Sequence, residues 1–184
     1  MKLDLRTGRV EPARFAPSPN HDARPNGSKV EALILHCISL PPGEYGGRHV
    51  ERFFQNRLDP LEHPYFRTIA GMKVSAHFFV RRGGALVQFV PTHRRAWHAG
   101  VSRCLGRERV NDFSIGIELE GTDDAPFTDA QYCTLRRLTR ALFAAYPALN
   151  ARRLFGHSEI APGRKTDPGP HFDWVRYRRD ASRS

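Results

Sequence analysis

From Phe113 to Glu120 the chain alternates without a break: Phe113, Ile115, Ile117 and Leu119 fall on one face, and Ser114, Gly116, Glu118 and Glu120 on the other. A period of two marks a strand with one buried side. Shortly after it, Thr128 and Gln131 fit a capping box. Tyr132, Leu135, Leu138, Leu142 and Tyr146 then follow at helical spacing until Pro147 stops them. A one-sided strand and a one-sided helix so close together must bury their apolar faces against another layer, which commits the chain to an α/β architecture.

The rest of the pattern agrees. Val30 to Leu35 reads as a short buried strand that ends on His36. Pro41, Pro42 and Gly43 break the chain, and Gly47 to Arg57 suits a short helix with Val50, Phe53 and Phe54 on one face. Two β-rich runs, Ser75 to Arg81 and Ala85 to Val90, flank Arg82-Gly83-Gly84 as a hairpin. Leu154-Phe155 is a last short strand leading into Gly156-His157. No repeat, low-complexity stretch or long linker divides the chain. We therefore expect a single α/β domain, a mixed central β-sheet flanked by helices, over residues 30–178. An irregular lead-in precedes it at 1–29, and a short tail follows at 179–184. A chain of 184 residues can bury roughly 70% of its unfolded surface, so it needs neither a metal nor a disulfide merely to fold.

Composition narrows the class. The longest apolar runs, such as Ala32-Leu33-Ile34-Leu35, are only a few residues long, against the ~20 that a spanning helix needs. Asp4, Arg6, Arg9, Glu11 and Arg14 interrupt the first residues, leaving no apolar run of the signal-peptide kind. Cys37, Cys104 and Cys133 are widely spaced without a Cys-x-x-Cys, which argues against a disulfide scaffold and a thiolate zinc knuckle. The expectation is a soluble, reduced, cytoplasmic protein with no membrane partner. The net charge is +10, but basic residues are spread along the chain, with a modest excess at Arg176, Arg178, Arg179 and Arg183. Nucleic-acid binders more often cluster their charge or carry a reading module, so no nucleic-acid partner is expected. The charge is either a solvated surface or an attraction for an anionic ligand.

Ligand-capable side chains occur where the apolar strands end. His36 and His157 close the first and last strands, and the loop after His157 carries Lys165 and Asp167. Pro168 biases Asp167 toward an extended conformation that holds a side chain in one direction. Two imidazoles and a carboxylate are a zinc-hydrolase set, three protein ligands with a fourth position open. Water bound there is acidified from about 15.7 to about 7. Spacing alone leaves this open: nothing matches His-Glu-x-x-His, seven other histidines compete, and a histidine at a strand end is more often structural. Glu118 is either a solvent-facing acid or a general base, with Gly116 leaving room beside it. Lys165 is either a surface lysine or a donor to an oxyanion. Trp97, followed by His98, is either core or a flat platform for a sugar ring beside basic groups that grip a carboxylate.

Six blocks then occur in one order: His36-Cys-Ile-Ser-Leu-Pro-Pro-Gly, Val74-Ser-Ala-His-Phe, Arg95-Ala-Trp-His-Ala-Gly-Val, Gly106-Arg-Glu-Arg, Asn111-Asp-Phe-Ser-Ile-Gly-Ile-Glu-Leu-Glu-Gly-Thr-Asp and Arg164-Lys-Thr-Asp-Pro-Gly-Pro. Together, over about Pro17 to Tyr177, the chain resembles the AmpD-type 1,6-anhydro-N-acetylmuramyl-L-alanine amidases of Gram-negative bacteria. The resemblance implies an amidase_2 (peptidoglycan-recognition-like) fold with a catalytic Zn2+ held by His36, His157 and Asp167. It implies Glu118 as the catalytic glutamate, Lys165 assisting at the metal site, and substrate contacts near Lys73, Trp97 with its neighbour His98, and Arg109. Cys37 and Lys73 depart from the Asn and Arg found in relatives at those places. The implied reaction cuts the amide between the lactyl group of anhydro-muramic acid and L-alanine of the stem peptide. The implied setting is cell-wall recycling, by a monomer acting on a small anhydro-muropeptide, with restraint of β-lactamase induction where that system exists. The alternatives are a non-catalytic peptidoglycan-recognition module, an amidase of intact cell wall and a basic nucleic-acid protein.

Overall fold

The apolar run at Ala32 and the alternating segment at Ser114 become neighbours. In the computed structural model, which describes residues 1–182, they are strands β5 (Ala32–Ile38) and β11 (Ser114–Glu120). Before β5 come β1 (Lys2–Asp4), β2 (Arg9–Glu11), β3 (Arg14–Phe15) and β4 (His21–Ala23). Between β5 and β11 lie β6 (Phe78–Val80), β7 (Leu86–Gln88), β8 (Arg94–Ala96), β9 (Arg103–Cys104) and β10 (Arg107–Glu108), and β12 is Leu154–Gly156. The helices are α1 (His49–Phe54), α2 (Pro64–Thr68), α3 (Asp129–Ala145), α4 (His157–Ile160) and α5 (Trp174–Ser182). The main sheet runs β12-β5-β11-β6-β7-β3. Its pairings are parallel except β6 with β7, the hairpin expected around Gly83-Gly84.

One face of this sheet is apolar. Leu33, Leu35, Ile115, Ile117, Leu119 and Phe78 pack with Leu135, Leu138 and Leu142 of α3 and with Tyr177 of α5. Alternation along β5 and β11 sends His36, Gly116 and Glu118 to the other face. That face is shared by two further clusters: Phe79 and Val87 with Phe53, Phe54 and Phe66, and Ile34 with Ala99, Val110 and Ile160.

Four expectations need correction. β5 continues to Ile38, so His36 lies within the strand rather than at its end. All seven residues of β11 are buried, because the strand is flanked by β5 and β6 and covered on both faces; its polar face is interior, not solvated. Residues 1–29 are not irregular throughout. β1 and β2 form a hairpin, β3 joins the sheet edge on β7, and β4 pairs with β8. Val10 N donates to Gln88 Oε1 and Gln88 Nε2 donates to Gly8 O, partners that strands of two or three residues do not announce. Finally, α5 crosses the expected boundary at 178/179, because Tyr177 and Ala181, one turn apart, both pack on the core. Residues 183 and 184 of the tail, including Arg183, lie outside the described residues. Among the described residues, no helix is long and apolar enough to cross a membrane.

Candidate metal centre and active site

Parallel pairing gathers three donors from distant segments. β12 lies beside β5 with Gly156 opposite Leu35, so the next residue, His157, arrives next to His36. Asp167 comes from the loop after α4, tied back by Ser158 N donating to Asp167 O. His36 Nδ1 lies 3.0 Å from His157 Nδ1 and 3.1 Å from Asp167 Oδ2, and His157 Nδ1 lies 3.1 Å from Asp167 Oδ1. A tetrahedral ion with ligand bonds of ~2.0–2.1 Å has ligand-to-ligand edges of about 3.3–3.4 Å, so this triangle has the size of a metal site. His157 Nε2 faces the Ala99 carbonyl at 3.2 Å. A carbonyl only accepts, so Nε2 carries the proton and Nδ1 turns a lone pair to the centre. Burial pushes His36 down to about 4, only partly opposed by Asp167, which leaves it neutral and able to ligate. Two imidazoles and a carboxylate, without a thiolate, are the donor chemistry of a catalytic zinc site.

Glu118 stands opposite His36 in the β5–β11 register. It is buried, and its Oε2 has no hydrogen-bond partner among the described residues. Burial, reinforced by the Asp167 charge and offset by Lys165, raises this carboxyl well above the usual carboxylate range. Leaving such an oxygen without a partner costs about 1–3 kcal/mol. A raised carboxyl facing a cavity is the signature of an acid–base group.

That cavity has a volume of about 500 Å³, within the range of small-molecule sites. Its polar side is lined by His36, Glu118, His157, Lys165 and Asp167, with Trp97 and His98 beside them, and its apolar side includes Phe53, Tyr65 and Met72. Lys165 is exposed and Trp97 half-buried. His98 reaches the cavity, but both ring nitrogens are engaged by protein groups, Nδ1 by His36 and Nε2 by Ser114. The room left by Gly116 is filled by the His98 ring rather than lying open beside Glu118.

Lys73 and Arg109 are outside this cavity. Lys73 lines a neighbouring cleft that shares Phe53, Ile69 and Met72 with it. Arg109 is 72% exposed, pairs with Asp112 and lines a groove that meets the cavity only at Arg164. Cys37 lines the cavity, and burial together with the Glu118 charge holds its thiol up and therefore protonated. Sequence reasoning assigned no role to Arg164, whose Nη2 donates to the carbonyls of Ala99 and Val101. Asn111 and Ser114, which hold the stretch behind the histidines, were passed over too. Their place inside the motif blocks was the only signal, because no spacing rule marks a group that supports a ligand.

Residues 26–170 match the family model described as N-acetylmuramoyl-L-alanine amidase. The 1,6-anhydro-N-acetylmuramyl-L-alanine amidase AmpD of Salmonella typhimurium (strain SL1344) is 57% identical over 166 residues, covering 90% of this chain and 88% of that one. A crystal structure of a selenomethionine AmpD derivative superimposes with a TM-score of 0.95 at 54% identity, covering 99% of this chain and all of that one. The amidase AmiD of Escherichia coli, solved with the substrate anhydro-N-acetylmuramic acid-L-Ala-D-gamma-Glu-L-Lys, matches with a TM-score of 0.62 at 27% identity. That match covers 88% of this chain and 62% of AmiD.

Proposed function

The chain belongs to the N-acetylmuramoyl-L-alanine amidase family, and we propose that it is a zinc enzyme that hydrolyses the amide between the lactyl group of 1,6-anhydro-N-acetylmuramic acid and L-alanine. The observation that carries this reading is the triangle of His36, His157 and Asp167 beside a buried glutamate oxygen with no partner among the described residues.

His36, His157 and Asp167 would hold the zinc. When bound, zinc supplies Lewis acidity, lowering the pKa of water from about 15.7 to about 7 and polarising a carbonyl. Glu118 takes the proton of the attacking water on Oε2 and delivers it to the departing L-alanine nitrogen. Burial and the Asp167 charge raise its carboxyl above the usual carboxylate range, the direction that makes it a stronger base toward water while leaving it able to return the proton. Lys165, on the same cavity wall, donates to the oxyanion that forms as the carbonyl is attacked. Trp97 offers a flat face to the sugar. Lys73 and Arg109, in the flanking grooves, would meet the outlying carboxylates of a stem peptide. In this reading the protein is a cytoplasmic monomer that recycles cell-wall fragments, with neither nucleic acid nor membrane as partner.

The test compares release of the L-alanine amino terminus from a soluble anhydro-muropeptide and from whole sacculi, with and without a chelator. Fast, chelator-sensitive release from the fragment, restored by zinc, is expected. Release that ignores the chelator removes the metal from the reaction. No release at all leaves a binding module, and faster action on sacculi replaces recycling with digestion of intact wall.

A further inference from the structure

We infer that Ser114, His98 and Asn111 form an outer shell that fixes the proton positions of both histidine donors, so that each turns an unprotonated Nδ1 to the centre. The inference rests on the metal reading above.

The direction of the hydrogen-bond chain is set by a group that can only accept. The Val110 carbonyl accepts from Ser114 Oγ at 2.7 Å. With its one proton committed there, the hydroxyl accepts from His98 Nε2 at 3.1 Å. His98 therefore carries its proton on Nε2, and its bare Nδ1 accepts from His36 Nε2 at 3.0 Å. A neutral imidazole has one proton, so His36 is left with a lone pair on Nδ1, the atom that faces His157 and Asp167. His157 reaches the same state by a shorter route, donating from Nε2 to the Ala99 carbonyl at 3.2 Å. Arg164 Nη2, the other group near that nitrogen, is farther off at 3.5 Å and donates its protons to the Ala99 and Val101 carbonyls.

The two routes share one anchor. His98 and Ala99 are consecutive, and a single side-chain oxygen, Asn111 Oδ1, accepts from both of their backbone N–H groups, at 3.1 and 2.8 Å. Arg164 takes the second lone pair of the Ala99 carbonyl at 2.7 Å. Gly116 belongs to the same device, since a Cβ there would lie 2.4 Å from His98 Cγ. The missing side chain on β11 is what admits the ring between strand and ligand. Without these partners His36 is free to adopt the other tautomer, with a proton where the metal must bind. Outer-shell partners of metal ligands are typically worth about 10–100-fold in metal affinity.

The experiment measures the zinc dissociation constant by competition with a chromophoric chelator, alongside the His98 tautomer by imidazole nitrogen NMR of the zinc-loaded protein. Ser114→Ala and His98→Phe are expected to bind zinc about 10–100-fold more weakly than the parent. His98→Gln, whose amide oxygen still accepts from His36, is expected to recover most of the loss. His98 is expected to be protonated on Nε2. Unchanged affinity in Ser114→Ala and His98→Phe, or a His98 proton on Nδ1, overturns the inference; the second readout needs no variant to fold. Failure of the parent chain to bind zinc overturns the metal reading instead, and the His98 tautomer of the zinc-free protein still judges the hydrogen-bond chain.

Discussion

At the scale of the residue, Glu118 shows function working against stability. Its raised carboxyl means that the folded, zinc-free protein keeps a proton that the unfolded chain, with a reference pKa near 4.3, has released. Stability from this group is therefore complete below the unfolded pKa and is lost as pH rises through the higher folded value. Glu118→Gln has no such proton to lose. Zinc-free Glu118→Gln should melt progressively higher than the zinc-free parent as pH climbs from about 5 toward neutrality, while zinc-loaded turnover falls by ~10²–10⁴. Parallel melting curves across that range would contradict the buried-carboxyl argument. Near-parent turnover with zinc bound would remove Glu118 as the base.

At the scale of the element, β11 and α3 show what periodicity can and cannot report. The capping box read from Thr128 and Gln131 forms as expected, Thr128 Oγ1 accepting from Gln131 N and Gln131 Oε1 accepting from Thr128 N. Gln131 also donates to the Glu120 carbonyl, joining the helix start to the end of β11, and Thr128 Oγ1 donates to the Arg82 carbonyl. Thr128→Ala removes the cap at a cost of about 1 kcal/mol, or roughly 2–4 °C in melting temperature for a domain of this size. Because α3 packs on the sheet face away from the cavity, amide hydrolysis should be unchanged, and a matching loss of turnover would show that the two faces are coupled. For β11 the alternation was real, but polar residues on its second face did not mean water. Short side chains and carboxylates there leave space for His98 and the cavity, a distinction that hydrophobicity along one strand cannot carry.

At the scale of the molecule, the proposed metal site joins parts that the chain keeps apart. Zinc held by donors from β5, α4 and the following loop would bind only the folded state and should stabilise it by mass action, about 2.7 kcal/mol at a free concentration 100 times its dissociation constant. That corresponds to a rise of about 5–10 °C in the melting temperature, reversed by a chelator. Indifference of the melting temperature to zinc, measured calorimetrically, would count against the three-donor centre.

What the sequence alone determined was local: the strand at β11, the capped helix α3, the hairpin around Gly83-Gly84, and the motif blocks that marked the family and its candidate ligands. These follow from burial patterns and turn chemistry within a few residues, or from residues met in a particular order. Only the tertiary structure decided that His36 and His157, 121 positions apart, present the same ring nitrogen to one point. It also decided that Glu118 Oε2 is buried without a partner among the described residues, and that both ring nitrogens of His98 are taken by His36 and Ser114. Those facts depend on strand order and parallel register, which are settled by how whole faces pack and which no stretch of chain encodes by itself.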